Sequence, residues 1–534
     1  MDHETFVGEL KNPKTFDLPK ESKLQMIQTH ISFVILTDSS AYKIKKPVDF
    51  GFLDFSTLDK RKHFCEEELR LNSRLCPELY ESVITFTETD NGNHLEINGK
   101  GPVVDYAIKM KQFPQDNIMT HLLKKDLITK VHIDDLVDQL VSFYNESSAS
   151  EEISSYGSVN AVKKNIDENF EQTKDKISVT ISKDQFEHIK QVNDLFFNKN
   201  STVLNQRKEN GFIKSCHGDL HSGNIVLFNS SLCIFDCIEF NKRFRYIDVA
   251  SDIGFLAMDL DIQNRPFLSS YLIHQYIEKS KDTSLLTVLN LYKSYRAYVR
   301  GKVLGFQLDD PHFNQKKKQE LLQQISLYFE LSDYYAFLMD IQIKQKRPIV
   351  FMMSGLTGTG KSTVANKIAV DYNATVINSD VVRKETEGID KFERHLDEPN
   401  TGMYSPKRVH QTYKNVMDYA KDILKRESNV VLDATFQKRK HRLMAKALAE
   451  EFNALFVPVY CTCPESVAKK WLEERMKSKS VSDGRWEIYQ TQEVTFDMFT
   501  DDEQPVIFNT AEEDFEARMA LFYSILQRIH KEGL

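Results

Sequence analysis

The sequence predicts an α+β N-terminal part followed by an α/β C-terminal part with a doubly wound parallel sheet. An apolar, β-branched hairpin pattern over 31–45 opens the N-terminal part, and long helical patterns follow it. Beyond about 346, short apolar runs alternate with helix-like segments, which is typical of a parallel sheet covered by helices. The polar segment Gln342–Pro348 separates the two patterns, so we place the boundary near 345.

Composition excludes several classes of protein. The chain has 534 residues, of which 41% are hydrophobic and 28% are charged, as in ordinary globular proteins. No apolar run is long enough to span a membrane and no apolar signal segment opens the chain, so we expect a cytoplasmic protein without a membrane partner. We interpret the seven sparse cysteines as reduced thiols. The net charge of −8 argues against a whole surface that binds nucleic acid, but allows a local basic groove.

The N-terminal part mixes strands and helices. Its predicted elements are a hairpin of Ile31–Thr37 and Ala41–Lys45, a helix over 60–75, strands at 83–87 and 103–110, helical segments over 133–204, strands at 225–228 and 232–235, and helices over 250–335. The C-terminal part has four apolar runs of strand length, at 349–353, 374–377, 429–432 and 454–460.

A phosphate-binding motif follows the first C-terminal strand. Residues 355–362 match G-x4-G-K-[ST], with Gly355, Gly358 and Gly360 in the loop and a helix opening at Thr363. Glycines let backbone N–H groups turn onto a polyanion, and the helix N-terminus adds its dipole. Lys361 is predicted to reach the β- and γ-phosphates of a nucleotide, and the Ser362 hydroxyl to bind Mg²⁺.

Three further positions of this part can face the same crevice, because carboxyl ends of parallel strands meet there. Asp380, after the second strand, is placed to accept a proton from a substrate hydroxyl, with Arg383 on the same face; the alternative is a helix N-cap. Asp433 ends the third strand and suits an acid of the Walker-B kind in the outer coordination shell of Mg²⁺, a substrate contact or a helix cap. Arg475, with Lys477, Lys479 and Arg485 beyond it, suits a lid over transferred phosphate or a solvated helix face.

These C-terminal residues resemble the small P-loop kinases that include polynucleotide 5′-hydroxyl kinase and gluconate-type kinases. The resemblance covers about 346–534 and implies that Asp380, in the spacing D-x-x-R with Arg383, is the general base. It does not specify the acceptor.

A second motif lies in the N-terminal part, at His217–Asn224, with Asp236 at the end of the hairpin that follows. Asp219, Asn224 and Asp236 can converge on one metal–phosphate site, since phosphoryl transfer needs a carboxylate near the acceptor and oxygen ligands for Mg²⁺. The i, i+4 spacing of His217 and His221 is also compatible with a zinc site. No zinc is expected, because the H-E-x-x-H glutamate and a third ligand are missing.

This block resembles the aminoglycoside phosphotransferase and choline kinase group of protein-kinase-like folds over about 30–335. The resemblance implies a two-lobed domain over 1–342, with a small lobe to about 112 and a helical large lobe over 113–342, joined to a P-loop kinase domain over 346–534. It implies that Asp219 is the catalytic base and that Asn224 and Asp236 hold Mg²⁺.

The same resemblance assigns nucleotide contacts in the small lobe. Lys43 would bind the phosphates, with Lys45 and Lys46 as rivals, and Glu68 would be its ion-pair partner, with Glu66 and Glu67 as rivals. The hinge near 111–113, flanked by Met110 and including Gln112, would meet adenine. The region just before Lys43 contains no glycine, so the usual glycine-rich loop over the phosphates is absent.

A basic helix face at Lys293, Arg296 and Arg300 suggests an anionic acceptor, or else solvated charge. Taken together, the sequence predicts an ATP- and Mg²⁺-dependent kinase with two sites that phosphorylates a hydroxyl of a small metabolite or of an RNA or DNA end. The alternative is a nucleotide-gated regulatory or toxin-like NTP-binding protein with one degenerate kinase domain. The acceptors and the oligomeric state stay open.

Overall fold

The structure is a computed structural model that describes residues 3–89, 94–310, 313–394, 401–477, 480–512 and 514–531. The chain forms two compact units. One comprises Met1–Asp175, Ser201–Asp259 and Gln275–Asp282, and the other comprises Lys176–Asn200, Leu260–His274 and Thr283–Leu534. These units follow a different division from the segments 1–342 and 346–534, which stay a prediction.

The first unit contains a six-stranded antiparallel sheet with the strand order β1-β2-β3-β6-β4-β5. Its strands are β1 Gln25–Gln28, β2 Ser32–Leu36, β3 Ser40–Lys45, β4 Tyr80–Glu88, β5 Leu95–Ile97 and β6 Val103–Lys111. The predicted hairpin is confirmed, because β2 and β3 pair with Val34 opposite Lys43. Aromatic and branched side chains such as Phe33, Ile44 and Phe86 pack on one face of the sheet and bury it.

Two short antiparallel pairs complete the strands of the first unit. They join β7 Ile213–Ser215 with β10 Tyr246–Asp248, and β8 Ile225–Phe228 with β9 Ser231–Ile234. The second pair matches the predicted strands at 225–228 and 232–235, and it leads directly into Asp236.

The second unit contains a five-stranded parallel sheet with the order β12-β13-β11-β14-β15. Its strands are β11 Ile349–Ser354, β12 Ala374–Asn378, β13 Asn429–Asp433, β14 Leu455–Thr462 and β15 Val506–Asn509. Every residue of β11 and β13 is buried, as expected for strands covered on both faces. The doubly wound prediction is confirmed, and only β15 was not predicted from its sequence pattern.

Helices fill the remainder of both units. In chain order they are α1 His3–Glu9, α2 Leu58–Asn72, α3 Met119–Lys124, α4 Lys130–Glu146, α5 Glu151–Ser155, α6 Val159–Thr173, α7 Lys183–Glu209, α8 Lys242–Arg245, α9 Val249–Ile262, α10 Pro266–Ser280, α11 Leu285–Phe306, α12 Gln315–Lys344, α13 Lys361–Asp371, α14 Ser379–Thr386, α15 Pro406–Leu424, α16 Arg439–Glu451, α17 Glu465–Met476, α18 Trp486–Thr495 and α19 Phe515–Lys531. Within the described residues, none of them is both long and apolar enough to cross a membrane.

One prediction about the cysteines is wrong. Cys76 and Cys233 form a disulfide within the first unit, with their Cα atoms 5.3 Å apart, whereas all seven cysteines were expected to be reduced. The pair lies 157 residues apart in the chain, so the sequence offers no local spacing that would reveal it. The other five cysteines are free thiols, as expected.

Candidate functional sites

The phosphate loop of the second unit is built as its motif predicts. It leaves β11 at Ser354 and enters α13 at Lys361, with Gly360 as the N-cap in a left-handed conformation. Gly355 has φ 138°, and a Cβ there would collide with the carbonyl oxygen of Cys461. Gly358 has φ 80°, and its Cβ would lie 2.7 Å from Leu472 Cγ. Side chains are therefore excluded on steric and conformational grounds at two of the motif glycines.

Lys361 and Ser362 face an acidic strand end. The Lys361 ammonium donates to the Leu356 carbonyl oxygen at 2.5 Å, and burial lowers the pKa of Lys361. Asp433, the last residue of β13, has its pKa raised by burial, while hydrogen bonds from Ser362 and Asn378 act in the opposite direction. The hydroxyl and carboxylate oxygens of Ser362 and Asp433 are hard ligands that suit Mg²⁺.

A cavity of about 370 Å³ joins the phosphate loop to the other predicted positions. It is lined by Asp380, Arg383, Asp433 and Arg475 together with Gly358, Gly360, Lys361, Ser362 and Thr363. Gly355 does not line it. The structure thus brings all of the remaining second-site candidates to one place.

Asp380 is not the N-cap of α14. Asn378 takes that position, because its side-chain oxygen accepts the backbone N–H groups of Asp380 at 2.9 Å and of Val381 at 3.1 Å. The Asn378 amide also donates to Asp433 at 2.6 Å, so one side chain connects the cap to the second acid. The cap explanation for Asp433 is excluded too, since α16 begins beyond Lys438.

The Asp380 carboxylate is held in its ionised form. It accepts from Arg383 Nη2 at 2.7 Å. Burial alone would raise the pKa of Asp380, but the charge of Arg383 and a hydrogen bond from Ser482 outweigh it and lower the pKa. An ionised carboxylate in a cavity beside the phosphate loop can accept the proton of a hydroxyl.

Sequence reasoning missed the residues that fix Arg383. Arg383 Nη2 donates to the Tyr404 hydroxyl at 3.2 Å, and that hydroxyl donates to Asp483 at 3.0 Å. Lys384 donates to the other oxygen of Asp483 at 3.1 Å. Because Tyr404 and Asp483 lie far apart in the chain and belong to no motif, no sequence signal was available.

Arg475 lies in the last turn of α17 and lines the cavity. Burial lowers the pKa of Arg475, and the charges of Asp380 and Asp433 act in the opposite direction. The guanidinium therefore lies near both acids. Lys477 directly follows the helix, and Arg485 is the N-cap of α18. Lys479 lies outside the described residues.

The first unit assembles a charged cluster around Lys43. Lys43 Nζ contacts Glu68 Oε1 at 2.7 Å and Asp236 Oδ1 at 2.5 Å. Glu66 and Glu67 pair instead with Lys62 and Arg70 on the surface of α2, so Glu68 is the residue that meets Lys43.

Lys45 extends this cluster. It contacts Glu68 at 2.6 Å and also Glu239, a partner that sequence reasoning missed. Burial alone would raise the pKa of Glu68, but the charges of Lys43 and Lys45 outweigh it and lower the pKa. Of the two lysines that contact Glu68, Lys45 is only 1% exposed, whereas Lys43 also contacts Asp236. Lys43 is therefore better placed to meet a ligand. Lys46 lies apart, over the Phe33 ring.

The side chains of the loop 217–224 make hydrogen bonds within the first unit. The Asn224 amide donates to Asp219 Oδ2 at 3.0 Å, and His221 Nε2 lies 3.4 Å from the same carboxylate oxygen. His217 Nε2 instead meets the Phe235 carbonyl oxygen at 2.9 Å. The described residues contain no cluster of three or more His, Cys, Asp or Glu side chains that could hold a metal ion.

Two buried acids that received no role from the sequence fix this loop. Asp252 accepts the backbone N–H groups of His217 at 2.7 Å and Gly218 at 2.9 Å, and Asp259 accepts that of Ser222 at 2.8 Å. Acidic side chains thus satisfy three backbone donors that the irregular loop leaves unpaired.

The hinge positions keep their predicted place at the end of β6. Met110 is 9% exposed, and the Gln112 backbone N–H donates to the Ser39 carbonyl oxygen at 3.0 Å. Their contact with adenine stays a prediction.

On the basic face of α11, Lys293 is neither part of an acceptor site nor a solvated charge. Lys293 is 2% exposed and donates to Asp261 at 2.6 Å, with its ammonium 4.4 Å from the centre of the Tyr335 ring. It is therefore a buried ion pair, neither solvated nor free to bind an acceptor.

The chain is similar to a protein family over the phosphate loop and to curated proteins over most of its length. A family model described as "AAA domain" matches residues 350–496. Three curated mycobacterial proteins, one from Mycobacterium bovis and two from Mycobacterium tuberculosis strains, are each 27% identical over 447 residues, which is 84% of this chain and 85% of theirs. Each is described as an uncharacterized protein.

Solved kinases are similar to parts of the chain. A gluconokinase from Sinorhizobium meliloti is 20% identical and covers 35% of this chain and 97% of its own, with a TM-score of 0.26. A choline/ethanolamine kinase family protein from Mesorhizobium loti is 11% identical and covers 62% of this chain and 98% of its own, with a TM-score of 0.36. The family model and the parallel sheet confirm the predicted C-terminal P-loop domain, and the likeness of the N-terminal part to kinases stays a prediction.

Proposed function

We propose that the chain is an ATP-dependent phosphotransferase with two kinase sites, organised as the segments 1–342 and 346–534. The observation that carries this proposal is the shared cavity of the second unit, where the ionised Asp380 lies beside a complete phosphate loop. A hydrolase needs only the loop and a water-binding group. A carboxylate paired with Arg383 in a cavity large enough for a small molecule fits an acceptor hydroxyl better.

At the second site, Lys361 and the backbone of the loop hold the phosphates of ATP. Ser362 and Asp433 would hold Mg²⁺, which would neutralise charge on the phosphates. Asp380 accepts the proton of the acceptor hydroxyl as that oxygen attacks the γ-phosphorus. The bond between the γ-phosphorus and the oxygen that bridges it to the β-phosphate breaks, and ADP leaves. Arg383 and Arg475 stabilise the negative charge of the transferring group.

At the first site, Lys43, oriented by Glu68, binds the nucleotide phosphates, and Met110 and Gln112 border the adenine. Asn224 and Asp236 would supply oxygen ligands for Mg²⁺. Asp219 is the base, oriented by its hydrogen bond from Asn224. The left-handed backbone of Asp236, with φ 65°, is uncommon for a residue with a side chain and supports a functional role.

The test is to incubate the full chain with ATP labelled at the γ-phosphate, Mg²⁺, pooled metabolites and RNA. The proposal expects label in an organic product. Release of inorganic phosphate as the sole labelled product would contradict it and favour a nucleotide-gated regulator.

A further inference from the structure

One wall of the second-site cavity contains buried polar groups that the proposed chemistry does not use. His441, in the first turn of α16, lines the cavity and is 2% exposed. Its ring stacks on that of Tyr413 with centroids 4.0 Å apart and planes 20° apart. Gln437 lines the same wall. The stacked ring is fixed in place, so its nitrogens have a defined position.

Three buried polar atoms of these side chains make no hydrogen bond in the part of the chain that the structure describes. Neither ring nitrogen of His441 makes a hydrogen bond there, and neither does the buried Oε1 of Gln437. Leaving a buried polar group unpaired costs free energy, and native proteins do so rarely. Unpaired groups on the wall of a cavity that contains Asp380 therefore indicate a position for a ligand.

The charge state of His441 restricts the chemistry of that ligand. Burial lowers the pKa of His441 to about 4, with smaller contributions from Lys440 and His410, so the ring is neutral near pH 7. A neutral imidazole offers one N–H donor and one nitrogen acceptor, and Gln437 Oε1 can only accept. A hydroxyl both donates and accepts, whereas a carboxylate or phosphate oxygen cannot donate to either acceptor.

The size of the cavity favours a compact molecule. Its volume of about 370 Å³ must also receive the γ-phosphate beside Lys361, which leaves room for a small ligand. We propose that the second site phosphorylates a polyhydroxylated small molecule, with one hydroxyl held by His441 and Gln437 and another presented to Asp380. This inference rests on the proposed function of the same site.

The test measures label transfer from ATP by the full chain to named compounds. The panel contains polyols and sugars (glycerol, D-ribose, myo-inositol), single-hydroxyl alcohols (ethanol, choline) and an oligonucleotide with a 5′-hydroxyl. Transfer counts only where Lys361→Ala removes it. For each accepted compound, KM is then compared between the wild type, His441→Phe and the control His410→Phe. His410 lies on α15 near His441 but does not line the cavity.

We expect Lys361-dependent transfer to at least one polyhydroxylated compound. His441→Phe keeps the stacked ring but loses its hydrogen bonds, so it should raise the KM for that compound about ten-fold while the KM for ATP stays within about two-fold. The control should leave both values unchanged. An acceptor analogue lacking one hydroxyl should show the same loss with the wild type and no further loss with His441→Phe.

Three results would overturn the inference: transfer only to the oligonucleotide, transfer only to single-hydroxyl alcohols, or an unchanged KM in His441→Phe. In each of them Lys361-dependent transfer still occurs, so the proposed function survives. If no compound shows Lys361-dependent transfer, the inference and the proposed second site fail together.

Discussion

At the scale of single residues, the two acidic groups of the second site have different contacts. Asp380 is ionised. It does not cap α14, because Asn378 is the N-cap of that helix. Asp433 lies beside Ser362 with a raised pKa. The two acids of this cavity therefore differ in environment, because Asp380 pairs with Arg383 and Asp433 lies beside Ser362. Under the proposed function, Asp380 takes the proton and Asp433 holds the metal.

Asp380→Asn tests this assignment. The amide cannot accept the proton of an acceptor hydroxyl, so phosphoryl transfer at the second site should fall on the order of 10²–10⁴-fold while ATP affinity persists. Transfer rates and nucleotide binding by calorimetry on the full chain would measure both effects.

Asn378→Ala is the matched control, because it removes the cap and the contact with Asp433 but keeps Asp380. It should lower the free energy of unfolding by about 1 kcal/mol. Wild-type transfer by Asp380→Asn would remove the base from the account.

His441 makes stability depend on pH. Its pKa is lowered from 6.5 to about 4 in the folded chain, so the unfolded chain binds the extra proton between these values. Stability from this group is therefore present above about 6.5 and is lost as pH falls toward 4. Lys440 and His410 favour the neutral ring and Asp497 opposes it.

The measurement is the apparent Tm of the wild type and of His441→Phe between about pH 7 and about pH 5. The wild type should lose more of its Tm than the variant over this range. Parallel curves would show that the ring already titrates normally in the folded chain.

At the scale of elements, the local motifs were predictable and the supporting contacts were not. The phosphate loop could be read from residues 355–362, because its strand, glycines and helix are contiguous in the chain. Tyr404 and Asp483 position Arg383 from distant segments, and Asp252 holds the loop at 217–218 from α9. Such contacts arise from tertiary packing and leave no periodic or spaced signal. The disulfide of Cys76 was missed for the same reason.

The phosphate loop itself can be tested by Gly355→Ala. The left-handed backbone disfavours a side chain, and its Cβ would overlap the backbone of Cys461, so the loop must move and nucleotide affinity at the second site should be lost. Gly388→Ala is the control, with φ 70° and no atom within 4 Å of the added Cβ.

The control should cost about 1 kcal/mol of stability and leave nucleotide affinity unchanged. Fluorescent ATP-analogue binding would compare the two variants. Normal affinity in Gly355→Ala would contradict the close approach seen at this position.

At the scale of the whole molecule, each candidate site lies within one compact unit. Lys43, Glu68, Asp219, Asn224 and Asp236 all belong to the first, and the cavity with Lys361 and Asp380 belongs to the second. Substitutions in one site should therefore leave the chemistry of the other intact.

The central claim of two phosphotransfer sites is tested most directly by one partition experiment. Labelled products are compared for the wild type, Lys361→Ala, Asp219→Asn and the double variant, each as the full chain with the same acceptor pool. Lys361→Ala removes the phosphate contact of the second site, and Asp219→Asn removes the base of the first while leaving its metal ligands. Each single variant should lose a different labelled product, and the double variant should lose both. Full transfer by the double variant, or loss of every product in either single variant, would contradict it.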